Sequence, residues 1–251
     1  MTIIPAICSS LFEVCATQPI DVIKTHYQTN TKVLYTFKNL YSGFIPRACG
    51  NIPSRTIFLY SQDFFQTFYT DKNFDVYPLI GLEKDKKDKG VLNETGVKTP
   101  INHLMDKKNI LTPISAGFCQ TLVDTPFEVL KINKIMNINN TFLYTGFIPH
   151  CARNIIFLTF VYNFRQISKN NNVDYKTEQN ILINSLYGAV GGMIGSYISH
   201  PFDTIKTKIQ SNQSIKNLLF NDYMKGAHLR ASMYMMNMFV SLTMLLSRPK
   251  P

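Results

Sequence analysis

The sequence predicts an all-α membrane protein with six transmembrane helices in three pseudo-symmetric two-helix repeats. Two observations predict this fold class. One short motif occurs three times along the chain, and each copy ends a largely apolar segment that a second apolar segment follows. Self-similarity at a regular spacing indicates a repeat architecture, and it is established before any single element is assigned.

The repeated motif is a proline, an acid two residues later and a lysine three residues after the acid. Average proteins contain about 5% proline, so one chance match is plausible in a chain of this length, whereas three in similar contexts are not. Proline removes a backbone donor and is expected to kink each helix, while the acid and the lysine share a helix face. The copies begin at Pro19, Pro126 and Pro201, and their pairs are Asp21 with Lys24, Glu128 with Lys131, and Asp203 with Lys206.

A glycine turn follows each copy of the motif and opens the next apolar segment. The turns read Tyr41-Ser42-Gly43, Tyr144-Thr145-Gly146 and, more weakly, Met224-Lys225-Gly226. The repeats therefore cover residues 1–70, 110–170 and 171–251 of a single domain. The polar interval 71–109 is predicted to be an exposed, disordered loop, and the short link before Gly146 predicts reduced surface helices there.

Six helices are predicted from the apolar segments. Each segment contains roughly 20 largely apolar residues, which would cross about 30 Å of hydrocarbon. Polar residues interrupt every segment, which indicates one face toward lipid and one toward a wet interior. In the fifth segment, glycines at 188, 191, 192 and 195 predict close helix packing. The segments are 3–27, 44–69, 111–134, 147–168, 181–208 and 227–247.

The charge, the motif content and the cysteines of the chain argue for some classes of function and against others. The net charge of +10 suggests nucleic acid, an anionic membrane surface or an anionic solute as a partner. The lysines are dispersed along the chain or lie in the loop of mixed sign, which argues against a nucleic-acid binder. The chain lacks nucleotide-binding glycine motifs and metal-ligand spacings, which argues against an enzyme and a metal site. The five cysteines lie in apolar stretches and are predicted to be buried thiols in a reducing compartment.

Three copies of proline, acid and lysine, each followed by a glycine-started helix, resemble the mitochondrial carrier family. The resemblance covers nearly the whole chain outside 71–109. It implies a six-helix, barrel-like bundle with three-fold pseudosymmetry, a central solute site and alternating access. It also implies the inner mitochondrial membrane, with a peroxisomal or other organelle membrane as the alternative. A monomer is expected, with cardiolipin bound at Tyr41–Gly43 and Tyr144–Gly146 and no other cofactor.

The resemblance assigns the motif charges to a gate on the matrix side. Isolated exposed ion pairs contribute about 0–1 kcal/mol, which suits a gate that must open. Local capping of the helix ends by neighbouring charges is the alternative interpretation. Gln28 and Gln210 stand where the family places braces beneath such pairs. On the opposite side Asp63 with Lys169 is the one plausible pair, which predicts a weakly latched cytoplasmic gate. The implied matrix pairs are Asp21 with Lys131, Glu128 with Lys206, and Asp203 with Lys24.

Substrate contacts are expected a fixed distance after each glycine turn. An arginine in mid-membrane is costly unless it serves a site, so Arg153 is the foremost candidate. Its planar fork of donors suits carboxylate or phosphate. Pairing of Arg153 with Glu13 is the alternative interpretation. By position the contacts are Gly50–Asn51, Arg153–Asn154 and Met233–Tyr234, with Arg55 and Arg230 also facing the cavity.

These residues predict the class of solute. With Glu13 as the only obvious mid-helix acid, the cavity should be positive and the solute a small anion. In the family, arginine followed by an amide residue at the second contact point resembles carriers of keto acids and other carboxylates. The sequence thus predicts exchange or uniport of such an anion. The alternatives are a nucleotide carrier and a carrier-like membrane scaffold without transport.

Overall fold

The computed structural model describes residues 3–71, 107–170, 178–215 and 219–246. These residues form helices joined by short links, with no strand among them, so the all-α prediction is confirmed. The predicted loop at 71–109 lies outside the described residues except at its ends, which extend two helices. The helices are α1 (Ile3–Gln28), α2 (Phe37–Leu40), α3 (Phe44–Asp71), α4 (Lys107–Met136), α5 (Phe147–Asn170), α6 (Glu178–Ile198), α7 (His200–Gln210), α8 (Phe220–Tyr223) and α9 (Ala227–Leu246).

The long helices close into a ring. Helix α1 packs against α3, which packs against α4, and the order continues through α5 and α6 to α9, which returns to α1. Short helices α2 and α8 join the two halves of the first and third repeats. Among the described residues, the link 137–146 of the second repeat contains no helix, as its short length predicts.

The three glycine turns adopt one conformation and fit closely against the next repeat. The φ angles of Gly43, Gly146 and Gly226 are 75°, 74° and 81°. These values lie in the left-handed region that residues with a Cβ rarely adopt. A Cβ on Gly43 would lie 2.9 Å from the Lys131 carbonyl, and one on Gly226 would lie 3.1 Å from Lys24 Cγ. Each turn therefore packs beside the motif lysine, or one turn beyond it, of the following repeat in cyclic order.

A second threefold feature was not predicted from the sequence. Asn30, Asn137 and Asn212 adopt φ angles of 53°, 52° and 57°, each six residues after a motif lysine. Asparagine tolerates the left-handed conformation that ends many helices. The three motif helices therefore end in the same way, and the recurring asparagine is the sequence signal that could have shown it.

Two of the motif prolines lie inside continuous helices, and a tyrosine satisfies the carbonyl that each one frees. Proline cannot donate to the carbonyl four residues earlier. The Tyr41 hydroxyl donates to the Cys15 carbonyl at 3.3 Å, four residues before Pro19. The equivalent bond in the second repeat runs from Tyr144 to the Leu122 carbonyl at 3.2 Å. The tyrosine of each of the first two glycine turns thus caps the kink of its own repeat.

The third repeat lacks this tyrosine, and its helix is interrupted. Met224 occupies the position of the tyrosine. Helix α6 ends at Ile198, and α7 begins at His200, with Ser199 between them and Pro201 in the first turn of α7. The prediction of one continuous helix over 181–208 is therefore wrong, because the proline begins a new helix here instead of kinking an old one.

Replacing Tyr144 by phenylalanine is expected to lower the free energy of unfolding by about 1 kcal/mol, because one intramolecular hydrogen bond is lost. The ring itself is retained, so packing against Phe147 is preserved. Thermal unfolding of the purified variant measures the change. Tyr35→Phe, in a side chain that is 73% exposed, is the matched control. Equal stability of the two variants would contradict the capping role.

The ring buries polar side chains and exposes large apolar ones. Gln18 and Thr121 are fully buried, whereas Phe64 is 62% exposed and Ile148 is 80% exposed. The polar residues that interrupt each apolar segment therefore face the interior, as predicted. Apolar faces cover the outside.

The cysteines that the structure describes, like the large apolar side chains, are not buried in the interior of the ring. Cys15 and Cys49 are exposed, while Cys119 and Cys151 are half-buried. The prediction that these thiols are buried is wrong for the first two, because the apolar faces of these helices point outward. The side chain of Cys8 lies outside the described residues.

Hydropathy differs from the prediction. None of the described helices is both long enough and apolar enough to cross a membrane.

The glycines of α6 pack on two neighbouring helices. Added Cβ atoms on Gly191 and Gly195 would lie 2.6 Å from Phe164 Cβ and 3.0 Å from Phe160 Cβ on α5. On another face, the Tyr234 hydroxyl of α9 donates to the Gly188 carbonyl at 3.1 Å. The predicted close packing through small residues is present in the structure.

Candidate functional site

The six motif charges meet at one end of the ring. Lys24 Nζ lies 2.8 Å from Asp203 Oδ2, and Lys131 Nζ lies 3.0 Å from Asp21 Oδ2. Lys206 pairs with Glu128. Each contact joins one repeat to the next, in the order that the family resemblance implies. The function of this ring as a gate stays a prediction.

Local pairs and arginines add to the cross-repeat contacts. Lys131 Nζ also lies 2.7 Å from Glu128 Oε1, so pairing within a motif and between motifs coexist. Arg47 Nη1 lies 3.4 Å from Asp21, and Arg153 Nη1 lies 3.0 Å from Asp203. The arginine contacts were not predicted, because they join residues that no motif spacing relates.

The charge ring is buried. Its side chains are between 1% and 15% exposed. The contribution of about 0–1 kcal/mol expected for exposed ion pairs therefore does not apply to these buried pairs. Buried pairs gain little over apolar substitutes, but removing one partner leaves an uncompensated charge and costs about 3–5 kcal/mol. The ring is thus sensitive to the loss of any single member.

One predicted brace contacts the ring and the other does not. The Gln28 amide donates to Asp203 Oδ2 at 3.0 Å, beside Lys24. The Gln210 amide donates to the Thr145 carbonyl at 3.1 Å instead. The placement of Gln210 as a brace is therefore wrong, because its side chain turns toward the neighbouring glycine turn.

The opposite end of the ring is where the cytoplasmic gate was predicted. Asp63 is exposed near the end of α3. The side chain of Lys169 lies outside the described residues, so the predicted Asp63–Lys169 pair is not described.

A cavity of about 200 Å³ lies between α4, α5, α6 and α9. It brings together the second and third predicted contact points and two arginines. Gln120 and Ser196 also line it, and these polar residues were not predicted. The lining residues are Gln120, Arg153, Asn154, Phe157, Leu158, Ser196, Arg230, Met233, Tyr234 and Asn237.

Arg153 joins this cavity to the charge ring. Besides Asp203, its guanidinium donates to Asn154 Oδ1 at 2.6 Å and contacts His150 Nε2 at 3.0 Å. The alternative pairing of Arg153 with Glu13 is not found. Arg55 occupies that position and pairs with Glu13.

Arg230 is the second arginine of the cavity. It lies over the Phe157 ring at 5.8 Å and reaches the Ser196 carbonyl at 3.4 Å. Among the described residues, no carboxylate lies within 4 Å of Arg230. Its charge is therefore available to an anion that enters the cavity.

The first predicted contact point does not line this cavity. A Cβ on Gly50 would lie 2.5 Å from Phe127 Cβ, so this glycine permits close approach of α3 and α4. Asn51 is likewise outside the cavity lining. A glycine at a contact position could serve the cavity or helix packing, and here the packing accounts for it. Arg55, paired with Glu13, also lies outside the lining.

A second mid-helix acid was missed. Asp124 lies one turn before Glu128 on α4, and its Oδ2 is 3.3 Å from His150 Nε2. The Ser54 hydroxyl donates to its other oxygen at 3.0 Å. The expectation that Glu13 is the only such acid is therefore wrong. The sequence signal is an aspartate two residues before the motif proline Pro126.

A larger cavity of about 580 Å³ lies beside the glycine turn of the first repeat. Lys32, Lys38 and Lys134 line it together with Ser42 and Gly43, where α3 begins. Backbone N–H groups at a helix N-terminus and lysine side chains both favour an anionic group.

Comparison with known proteins agrees with this geometry. The model of the mitochondrial carrier protein family matches residues 177–239, which hold the third motif and its glycine turn. The chain is 25% identical to the mitochondrial 2-oxodicarboxylate carrier of Rattus norvegicus, over 83% of this chain and 74% of the relative. A probable mitochondrial 2-oxodicarboxylate carrier of Schizosaccharomyces pombe is also 25% identical, with 81% and 71% covered.

A third relative has a different solute in its name. It is the mitochondrial aspartate-glutamate transporter of Saccharomyces cerevisiae, 26% identical over 76% of this chain and 23% of the relative. Triplicated motifs, the closed ring of helices, cyclic charge pairs and these matches lead to one conclusion: the chain is similar to the mitochondrial carrier family.

Proposed function

We propose that this protein carries a small dicarboxylate, of the 2-oxodicarboxylate class, across the inner mitochondrial membrane by alternating access. Similarity to the mitochondrial carrier family supports the mitochondrial location and a transport function without covalent chemistry. The names of the two relatives matched over most of their length support the solute class. The large apolar side chains on the outside of the ring support a lipid-facing surface.

The observation that carries the proposal is the pair of arginines in one cavity. Arg230 has no carboxylate within 4 Å among the described residues, and Arg153 lies in the same lining. Two guanidinium groups suit a solute with a carboxylate at each end, since each planar fork can bind one carboxylate in two hydrogen bonds. The amide N–H groups of Gln120, which also lines the cavity, can donate to the keto oxygen.

The size of the cavity favours a small solute over a nucleotide. Pockets for drug-sized ligands measure roughly 300–1,000 Å³. The arginine cavity measures about 200 Å³. A dicarboxylate of five or six carbons is thus a better match than a nucleotide with its base, sugar and phosphates.

The contacts of Arg153 suggest how solute binding reaches the matrix side. Arg153 Nη1 contacts Asp203, which also receives Lys24 and Gln28. A solute carboxylate that takes over Arg153 removes one of the three groups on Asp203. The charge ring then loses one of its inter-repeat contacts, and the free energy that the solute supplies favours opening.

Cardiolipin is proposed as a bound lipid beside the glycine turn of the first repeat. Its phosphates suit the three lysines and the helix start that line the larger cavity. Monomeric function is also proposed, since the six long helices already close one ring around the solute cavity.

Uptake into liposomes tests the proposed function. Purified protein in vesicles loaded with unlabelled 2-oxoglutarate is expected to take up labelled 2-oxoglutarate to saturation, because exchange requires no net flux. Labelled ADP is expected to enter no faster than in protein-free vesicles. Uptake of ADP in place of 2-oxoglutarate would support a nucleotide carrier. A protein that melts cooperatively yet moves neither compound would be a scaffold.

A further inference from the structure

We propose that each solute anion crosses together with one proton, which His150 accepts when the anion draws Arg153 away. The site is the largely buried triad of Asp124, His150 and Arg153, of which the sequence analysis singled out Arg153 alone. This inference rests on the proposed function, and it names the coupling ion of the same site.

Neighbouring hydrogen bonds fix which ring nitrogen of His150 carries the proton in this structure. The Thr125 hydroxyl donates its hydrogen to the Thr121 carbonyl at 2.6 Å. The same oxygen lies 3.1 Å from His150 Nδ1. Because its hydrogen is already used, the hydroxyl can only accept from the imidazole. Nδ1 therefore carries the hydrogen, and a neutral His150 has a bare lone pair on Nε2.

Two groups compete for that lone pair. Arg153 Nη2 lies 3.0 Å from Nε2 and can donate to it. Asp124 Oδ2 lies 3.3 Å from the same nitrogen. A carboxylate and a bare ring nitrogen are both acceptors, so a hydrogen bond between them requires a proton. His150 Nε2 can thus hold either an N–H of Arg153 or a proton bonded toward Asp124.

The charges around His150 make this exchange feasible. Asp124 and Glu128 face it from α4, Arg153 faces it from its own helix, and Lys206 faces it from α7. With Asp203, which contacts Arg153, and its other partner Lys24, three carboxylates and three cations balance, and His150 itself is fully buried. When a solute carboxylate neutralises Arg153, the balance becomes negative, and a proton on Nε2 restores it.

The coupled step transfers no electrons. A solute carboxylate accepts the hydrogen bonds of Arg153, whose Nη2 leaves His150. A hydronium ion from the solvent transfers its proton to Nε2 and becomes water, and the new N–H donates to the Asp124 carboxylate. By reciprocity, a proton on His150 also raises the affinity of Arg153 for the anion. The anion and the proton therefore enter together and leave together.

Calorimetry counts the protons. Titration of 2-oxoglutarate into the purified protein, in two buffers with different ionisation enthalpies, separates binding heat from the heat of proton exchange. About one proton is expected to be taken up per bound anion in the wild type. His150→Gln, which cannot carry the extra proton, is expected to bind the anion with none. Asp124→Asn removes the acceptor for the new N–H and is expected to reduce the uptake.

His228→Gln is the matched control. His228 lies on α9 with its ring against Tyr197, outside the cavity lining. This variant is expected to keep the proton uptake of the wild type.

A vesicle assay measures the proton during transport. With the wild type, an inward gradient of 2-oxoglutarate is expected to acidify the lumen, which a trapped pH-sensitive dye reports. With His150→Gln, no acidification is expected.

The outcomes separate the two proposals. Anion binding with equal heats in both buffers would overturn proton coupling and leave the solute proposal standing. Proton uptake that persists in His150→Gln would overturn the assignment to this site. Absence of any binding heat with 2-oxoglutarate, in either buffer, would overturn the proposed function and this inference with it.

Discussion

Replacement of Asp203 by asparagine will lower the free energy of unfolding by about 3–5 kcal/mol, the cost of leaving a buried charge unpaired. Asp203 is 1% exposed, and Lys24 Nζ, Gln28 Nε2 and Arg153 Nη1 all lie within 3.0 Å of its carboxylate. Asparagine has the same shape but no charge, so two cations lose their partner without a change in packing. Thermal unfolding in mild detergent measures the effect as a lowered melting temperature.

Asp222→Asn is the matched control for this prediction. Asp222 also pairs with a lysine, Lys225, at 2.7 Å, but the two side chains are 23% and 34% exposed. Water replaces an exposed partner at little cost. The control is expected to melt with the wild type. If both aspartate variants melted with the wild type, the buried ring would not stabilise this conformation.

Replacement of Arg153 by alanine will reduce 2-oxoglutarate uptake by about tenfold to a hundredfold, as expected from losing a charge-assisted hydrogen bond of about 1.5–3 kcal/mol. The guanidinium lines the solute cavity and contacts Asp203, His150 and Asn154. Its loss removes one of the two proposed carboxylate contacts. Initial rates of labelled uptake into vesicles provide the measurement.

Two further variants test whether the charge, the planar shape or the position of the Arg153 guanidinium accounts for the reduced uptake. Arg153→Lys keeps the charge but loses the planar fork, so a partial loss of uptake is expected. Lys225→Ala removes an exposed positive charge far from the cavity and is expected to leave uptake unchanged. Uptake by Arg153→Ala at the wild-type rate, in protein that melts cooperatively, would remove Arg153 from the solute site.

The correspondence between equivalent residues of the three repeats could be predicted from the sequence. Three motifs in register fix which helices match, and the family resemblance implied the pairing of Asp21 with Lys131 in the next repeat. Counting from Gly146 likewise located Arg153, which the structure places in the cavity. The distance of a residue from its motif or glycine turn along the sequence therefore predicts its position in the bundle, because the three repeats are pseudo-symmetric.

Contacts that break the symmetry could not be predicted in this way. His150 and Asp124 lie on different helices, and the equivalent contact in the first repeat joins Arg47 to Thr17, so the repeats do not mark an acid–histidine pair. Gly50 stands at a contact position yet serves packing against Phe127. The direction that Cys15 faces depends on which side of its helix meets lipid. Such features arise from the packing of particular side chains, which periodicity does not specify.

The cyclic packing of the glycine turns has a consequence for assembly. In an open array of repeats, each unit needs only its neighbour, and special end units protect the termini. Here the turn at Gly226, in the last repeat to be synthesised, fits against Lys24 in the first. The first repeat cannot complete its packing until the last one arrives. A chain truncated after two repeats would lose two interfaces at once, so the protein should be assembled and degraded as one cooperative unit.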